Sequence, residues 1–391
     1  MDSPYLSRLA RGIEPYVPGE QPTSDGLIKL NTNENPYPPS PRVEEALRGR
    51  AARLRLYPEI DARTLREIIA RREGLSPEQV FCSNGSDEVL AFAFQAFFDP
   101  GREIVFPRIT YSFYPVYTDY FGLTCRRVPM NPDFSDPVDA LCGGNGGVVL
   151  CNPNAPTGIA VGLEVVEKLL RANPEVVVIV DEAYVDFGAQ SAVPLIARYP
   201  NLLVVQTASK SRALAGLRVG WAMGQENLIA ALRCVRDSIN SYIVDRLAQA
   251  GAQAAVEDEA YFQAIRGKVM ATRELTAQAL KALGADAVYF GYGELNARRN
   301  AKNFDEQSLA EASRICKERG VKMHMTVNTM VYDREYEAVL RTLEIACKYG
   351  IDALIVQDLG VVSLCKEIAP DVPVHASTQM SIHSLEGVLE A

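Results

Sequence analysis

The chain has 391 residues, of which 48% are hydrophobic, and a formal net charge of −9 at pH 7. This length exceeds one average domain, and the acidic balance argues against a nucleic-acid partner, because nucleic-acid-binding proteins present basic patches. No apolar run reaches the roughly 18 residues of a membrane-spanning helix, and the first residues lack the hydrophobic core of a signal peptide. The composition therefore predicts a soluble, two-lobed protein without a nucleic-acid partner and without a membrane span.

The first predicted functional element is a helix that starts near Gly85. Ser86 and Asp87 follow this glycine and precede an apolar periodic segment that begins at Glu88. Backbone N–H groups at a helix N-terminus favour phosphate, so the position predicts an anion site. The alternative is a plain N-cap with no ligand.

Three later apolar runs predict buried strands that each end in polar groups. Residues 146–151 run into an amide-rich turn, residues 176–180 stop at Asp181, and residues 201–207 lead to Lys210. Fully apolar runs of this length suit parallel strands that are covered on both faces. Because ligands bind at the carboxyl ends of such strands, we expect these polar groups to share one site.

Together these groups match what pyridoxal phosphate requires. The cofactor needs a lysine for its aldehyde, a carboxylate for its ring nitrogen, hydrogen-bond donors for its ring hydroxyl and a cup for its phosphate. Taken singly, a strand-end lysine is usually a solvated edge residue, and Asp181-Glu-Ala-Tyr184 is an ordinary acidic loop. The combination, in this order along the chain, predicts the cofactor.

A series of motifs carries a family resemblance over residues 13–284. They are Asn31-Thr-Asn-Glu-Asn-Pro-Tyr37, Leu56-Tyr-Pro-Glu59, Ser83-Asn-Gly-Ser-Asp-Glu88, Pro107-Arg-Ile-Thr-Tyr-Ser-Phe-Tyr114, Asn152 to Gly158, Asp181-Glu-Ala-Tyr184, Ser209-Lys210 and Asp237-Ser-Ile-Asn-Ser-Tyr242. With these motifs the chain resembles the fold-type-I pyridoxal-phosphate aminotransferases, and among them the histidinol-phosphate aminotransferases. The resemblance implies an α/β large domain with a mostly parallel seven-stranded sheet and helices on both faces.

The resemblance also implies roles for residues around the cofactor ring. Lys210 would hold the cofactor as a Schiff base and shuttle the proton between substrate and cofactor. Asp181 would pair with the ring nitrogen, and Tyr184 would donate to the ring hydroxyl. Tyr111 would stack on the ring face. The alternative for both tyrosines is that they are core aromatic residues.

The remaining implied contacts concern the phosphate, the substrate and a second subunit. Ser209 and Arg218 would complete the phosphate cup with Ser86 and Asp87, and Tyr57 would reach the phosphate of a partner subunit, which implies a homodimer. The implied substrate contacts are Tyr37 and Asn240.

One position departs from the family pattern. The family usually has asparagine before Pro-Thr-Gly, where it contacts the ring hydroxyl, but this chain has Ala155. Asn154 or Asn152 would substitute, and we choose Asn154; Tyr184 could also make the contact alone.

Beyond Gly284 nothing matches the small domain of the family or its carboxylate-binding arginine. Instead a Gly-x-Asp-Ala repeat introduces strands near Ala287 and Ala353, and further strands are predicted near Val321 and Val374. Alternating strands and helices are typical of a β/α-barrel, but four βα units are only half of one. Residues 285–391 resemble the first part of the collagenase-like peptidase barrel, in 297–304, 326–329, 356–360 and 375–380.

The sequence therefore predicts a chimera of two families, joined near residue 284, whether natural, artefactual or engineered. We predict an N-terminal arm (1–44), a large aminotransferase domain (45–284) and an incomplete barrel-like segment (285–391) in place of the usual small domain. The leading functional hypothesis is an aminotransferase that exchanges an amino group between histidinol phosphate and 2-oxoglutarate. The alternatives are an inactive scaffold that binds pyridoxal phosphate, and a peptidase-like or RNA-related activity of the tail.

Cysteine and histidine usage is the last sequence signal. The eight cysteines lack Cys-x-x-Cys spacing and lie mostly in apolar stretches, so we expect reduced, buried thiols and a cytoplasmic location. His375 and His383 would need further ligands to bind a metal. We therefore predict no metal site.

Overall fold

The structure is a computed structural model that describes residues 5, 29, 31–143, 145–284, 286–293, 295–297 and 303–380. Most of the predicted arm (1–44) and the segment 381–391, which includes His383, lie outside the described residues. The chain divides into two compact units, Met1–Arg273 and Glu274–Ala391. No described helix is long and apolar enough to cross a membrane.

The first unit is built on a seven-stranded sheet. Its strands are β1 (Val80–Ser83), β2 (Ile104–Pro107), β3 (Cys125–Val128), β4 (Gly147–Cys151), β5 (Val178–Asp181), β6 (Leu202–Thr207) and β7 (Gly220–Gly224). They lie in the order β1-β7-β6-β5-β4-β2-β3. Only β7 runs antiparallel to its neighbours, so the predicted mostly parallel sheet is confirmed.

Helices cover both faces of this sheet. They are α1 (Pro41–Leu47), α2 (Arg63–Glu73), α3 (Ser86–Phe97), α4 (Phe113–Tyr120), α5 (Leu163–Ala172), α6 (Glu226–Ile239), α7 (Arg246–Glu257) and α8 (Glu259–Leu283). Successive side chains of a strand point to opposite faces. Val178 and Val180 accordingly pack in one apolar cluster with residues of α2, α5 and α7, while Ile179 packs in another with α3, α4 and α6. Burial on both faces explains why these strands read as unbroken apolar runs.

The second unit contains a smaller, wholly parallel sheet in the order β11-β10-β9-β8. Its elements are β8 (Ala287–Gly291), α9 (Glu306–Arg319), β9 (Lys322–Val327), α10 (Tyr336–Tyr349), β10 (Ala353–Val356), α11 (Leu359–Ile368) and β11 (Val374–Ala376). All four predicted strands are present. Met325 and Leu354 pack with apolar residues of the three helices in one cluster.

The two units divide between Arg273 and Glu274, which both lie in α8, because this helix continues from Glu259 to Leu283. The domain boundaries at 44/45 and 284/285 stay predictions.

All eight cysteines lie in the described part of the chain as free thiols, but only Cys82, Cys151 and Cys365 are buried, so the expectation that most are buried is wrong.

Candidate active site

A cavity of about 110 Å³ lies at the carboxyl ends of β4, β5 and β6 in the first unit. Because these three strands run parallel, the polar groups that follow them meet at one edge of the sheet, as the sequence predicted. The predicted site residues that line the cavity are Ser86, Asp87, Tyr111, Asp181, Tyr184, Ser209, Lys210 and Arg218.

Lys210 follows β6 and points its amine into this region. Its Nζ donates to the Thr32 carbonyl at 3.0 Å and lies 5.6 Å from the centre of the Tyr184 ring. Burial lowers the Lys210 pKa below that of an ordinary lysine, although the negative charges of Asp87 and Glu34 oppose this shift. The amine is therefore more often neutral than an exposed lysine at the same pH, which suits a nucleophile or a base.

Asp181 ends β5 with a side chain that is almost fully buried (3% exposed). Its Oδ1 accepts from the Ala183 N–H at 3.1 Å, and its Oδ2 accepts from the Tyr114 hydroxyl at 2.7 Å. Burial raises the Asp181 pKa to about 6, against the opposing effect of the Tyr114 hydrogen bond. No ion pair involves this carboxylate among the described residues, so a cationic ligand group would be a favourable partner.

The N-terminus of α3 forms another wall of the cavity. Gly85 precedes the helix with a positive φ of 88°, and Ser86 is the first helical residue. The Arg218 Nη2 atom lies 3.1 Å from Asp87 Oδ2, and its Nη1 lies 3.4 Å from Ser209 Oγ. A helix N-terminus, an arginine and a serine hydroxyl together make an anion site.

Two glycines allow these groups to approach one another. A Cβ at Gly85 would lie 2.6 Å from Arg218 Nη2, and a Cβ at Gly220 would lie 2.3 Å from the Ser86 backbone nitrogen. Larger residues at either position would push the arginine or β7 away from the helix N-terminus.

A wider cavity of about 510 Å³ shares Tyr184 and Lys210 with the first and is lined by Asn154 and Arg273 as well. The Asn154 amide nitrogen donates to the Ile109 carbonyl at 2.9 Å. The Asn154 Oδ1 atom is buried and has no hydrogen-bond partner among the described residues. This oxygen is therefore available to a ligand.

Three predicted residues line neither cavity. Tyr57 is 76% exposed and stacks on Tyr242, with ring centroids 4.5 Å apart. Asn240 ends α6 and accepts from the Tyr242 N–H at 3.2 Å. The Tyr37 ring lies below the Lys268 amine, 5.4 Å away. Their predicted roles toward a partner subunit and the substrate stay predictions.

The comparison with known proteins decides the family. Residues 25–323 match the family model for aminotransferase class I and II. The chain belongs to this family. Histidinol-phosphate aminotransferase 1 of Burkholderia pseudomallei is 56% identical over 292 residues, which are 73% of this chain and 82% of that protein. The histidinol-phosphate aminotransferase of Acetobacter pasteurianus is 50% identical over 358 residues, 89% of this chain and 100% of that protein.

Solved structures agree with this aminotransferase assignment. Aspartate aminotransferase from Thermus thermophilus with maleate has a TM-score of 0.59 at 25% identity, over 75% of this chain and 81% of that chain. Histidinol-phosphate aminotransferase from Sinorhizobium meliloti, solved with pyridoxal-5'-phosphate, shares the fold with a TM-score of 0.59 at 23% identity and the same coverage. Residues 274–390 also match peptidase family U32, so both predicted resemblances are confirmed, and the two matched ranges overlap over 274–323.

The structure adds aminotransferase residues to which the sequence assigned no role. The Asn33 amide donates to the Tyr184 hydroxyl at 3.0 Å, and the Asn35 amide donates to the Lys210 carbonyl at 3.0 Å. Tyr114 reaches Asp181. All three belong to motifs that carried the resemblance, which was the available signal, but only the fold shows which atoms they contact.

The second unit has a cavity of its own, of about 640 Å³, at the carboxyl ends of its strands. Its lining includes the amides of Asn296, Asn303 and Asn328 and the imidazole of His375. Among the described residues no three His, Cys, Asp or Glu side chains are grouped as metal ligands would be. The predicted activity of this segment on peptide or RNA stays a prediction.

Proposed function

We propose that the chain is a pyridoxal-phosphate-dependent aminotransferase that exchanges an amino group between histidinol phosphate and 2-oxoglutarate. The observation that carries this proposal is the single cavity in which Lys210 and the buried Asp181 meet the anion site at the start of α3. The substrate comes from the relatives, which are named histidinol-phosphate aminotransferases and match most of the chain.

The residues of the cavity fit the cofactor at each of its functional groups. Lys210 would hold its aldehyde. Asp181 is buried and has no ion pair among the described residues, so it would hold the protonated ring nitrogen. Tyr111 would cover the ring face. Tyr184 would donate to the ring hydroxyl. The O–H of that hydroxyl would in turn donate to Asn154 Oδ1, which has no hydrogen-bond partner among the described residues.

The phosphate would bind at the other end of the cavity. Ser86 and Asp87 would offer backbone N–H groups at the start of α3, and Ser209 and Arg218 would offer a hydroxyl and a positive charge. Arg218, which pairs with Asp87, would then also contact the phosphate, and its ion pair with Asp87 would weaken. When bound, the cofactor supplies an electron sink for negative charge that develops at the substrate Cα.

Lys210 would then move the proton of the substrate Cα. The pKa of this amine is lowered, so it is closer to neutral pH than the pKa of an ordinary lysine, as a general base requires. The wider cavity beside Lys210 leaves room for the amino donor and the 2-oxo acid, and the positive charge of Arg273 on its wall favours anionic substrates. Contacts of Tyr37 and Asn240 with the substrate belong to the same proposal.

The test is an absorbance spectrum of the purified protein with pyridoxal phosphate, before and after glutamate or histidinol phosphate is added. We expect a bound-cofactor band that converts to the pyridoxamine form with each donor. Methylamine, which lacks the rest of the substrate, serves as the control and should leave the band largely unchanged. A band that no amino donor shifts would establish the scaffold alternative, and a protein that takes up no cofactor would refute the proposal.

We further propose that the aminotransferase is a homodimer. Leu54, Leu56, Tyr57, Ile60, Ile239 and Tyr242 are all exposed apolar residues, and stacking of Tyr57 on Tyr242 joins the two segments into one surface, the apolar patch. Exposed apolar patches mark interaction sites, and a second copy of the chain would also bring Tyr57 to the partner's cofactor, as the resemblance implies.

The apolar patch gives a test of the dimer. Replacing Ile239 with aspartate places a charge in the patch and should convert the dimer to monomer in light scattering coupled to gel filtration, because burial of an unpaired charge is costly. The control is Phe134→Asp, which adds the same charge at an exposed aromatic residue outside the patch. A wild-type protein that elutes as a monomer at all concentrations would contradict the dimer.

The domain organisation and the location complete the proposal. We propose an arm at 1–44, an aminotransferase domain at 45–284 and a separate barrel-like segment at 285–391. The two family matches, which meet at 274–323, support a chimeric origin. Free thiols at all eight cysteines support a reducing, cytoplasmic location.

A further inference from the structure

Tyr114 is a fully buried tyrosine that does not line the cavity, but its hydroxyl contacts Asp181, which does. It lies on α4 with 0% exposure and donates to Asp181 Oδ2 at 2.7 Å. Its ring packs against Phe94, Phe106 and Tyr111, with centroid distances of 6.3, 5.8 and 5.6 Å. Contacts with three aromatic rings restrict the position of the hydroxyl, so the hydrogen bond is part of the fold.

The surroundings of Asp181 give this hydrogen bond a large influence. Only one other donor, the Ala183 N–H, contacts the carboxylate in the described part of the chain. Burial raises the Asp181 pKa to about 6, the negative charge of Asp87 raises it further, and the Tyr114 hydrogen bond is the largest opposing effect. The other titratable or charged groups around it are Cys151 on β4 and Tyr111, Tyr184, Lys210 and Arg218 on the cavity wall.

Tyr114 stays a donor over the working pH range. Burial and the adjacent Asp181 charge raise the pKa of its phenol well above that of an ordinary tyrosine. Burial likewise raises the pKa of the Cys151 thiol well above its usual range, so this neighbour stays neutral. A hydrogen bond donated to a carboxylate favours its ionised form.

We propose that Tyr114 is a positioning residue that keeps Asp181 ionised and oriented for a protonated pyridine nitrogen. The inference rests on the proposed function, since it needs the cofactor in this cavity. The ionised carboxylate is lost as the pH falls through the Asp181 pKa. Removing the Tyr114 donor raises that pKa, so the loss begins at a higher pH.

The experiment measures the dissociation constant of pyridoxal phosphate from the cofactor-free full-length protein across pH, for wild type and Tyr114→Phe. The phenylalanine keeps the ring packing and removes one hydroxyl. Loss of one hydrogen bond to a charged group corresponds to about one to two pKa units, so binding should weaken by about 5- to 50-fold near pH 6 and approach wild type near pH 9. A purely structural defect would weaken binding by the same factor at every pH.

Tyr117→Phe is the matched control. Tyr117 also lies on α4 and is nearly buried, but its hydroxyl donates to the Asp87 backbone carbonyl at 2.8 Å. This variant should leave the pH dependence of binding unchanged. In an Asp181→Asn background, Tyr114→Phe should likewise add no pH dependence.

The outcomes separate this inference from the proposed function. A wild-type protein that takes up no pyridoxal phosphate overturns both. A wild-type protein that binds the cofactor, with a ratio of variant to wild-type dissociation constants that is constant across pH, overturns the role of Tyr114 alone. A ratio that grows as the pH falls supports it.

Discussion

Replacing Lys210 with alanine should abolish transamination, with kcat lowered by at least about 10⁴-fold. Lys210 is expected both to hold the cofactor covalently and to move the substrate Cα proton, and no second lysine lines either cavity in the described residues of the first unit. Stopped-flow spectroscopy of the half-reaction with histidinol phosphate measures this loss directly. The anion site at α3 and Asp181 are untouched, so the variant should still bind pyridoxal phosphate, with a changed absorbance spectrum.

Two further variants show whether the effect is specific. Lys210→Arg keeps the positive charge but offers no amine for covalent attachment, so it should be as inactive as alanine. Lys168→Ala removes an exposed lysine that pairs with Asp139 and lines neither cavity, so it should retain wild-type rates. Turnover by Lys210→Ala within tenfold of wild type would mean that another group does this work and that the assignment is wrong.

The parts of the site that lie at strand ends could be predicted from the sequence. Asp181 and Lys210 end apolar runs, and parallel pairing of β5 with β6 brings such ends to one edge. Ser86 was predictable for a similar local reason, since a glycine before an apolar periodic segment marks a helix start. The strands of the second unit were found in the same way, from the alternation of strand and helix patterns.

Contacts between separate elements could not be predicted in this way. Tyr114 lies on α4 and Asp181 at the end of β5, and a sequence pattern holds no information on a contact between these separate elements. The same holds for Asn33 and Asn35, whose amides reach Tyr184 and Lys210 from a distant segment. Burial of the cysteines was overestimated, because Cys234 and Cys347 lie on the exposed faces of α6 and α10.

Asp181→Asn should be the second most damaging change. The amide has nearly the same shape, and its one oxygen still accepts from Tyr114, so the fold should survive the loss of the single bond from the Ala183 N–H. The amide carries no charge, however, and leaves a protonated ring nitrogen without its partner in a buried site. Breaking a buried charge pair costs about 3 to 5 kcal/mol, which predicts a fall in kcat of about 10²- to 10⁴-fold together with weaker cofactor binding.

Glu182→Gln is the matched control for this variant. Glu182 is the next residue and is also buried, but its carboxylate accepts from Ser191, the Ala192 N–H and Gln206, and it does not line the cavity. Burial raises its pKa to about 7, so a neutral amide resembles a state that it already populates near neutral pH. If Asp181→Asn and Glu182→Gln lowered kcat and cofactor affinity equally, the effect would reflect lost stability of β5. A loss confined to Asp181→Asn would instead locate the ring nitrogen at this carboxylate, because only Asp181 of the two lines the cavity.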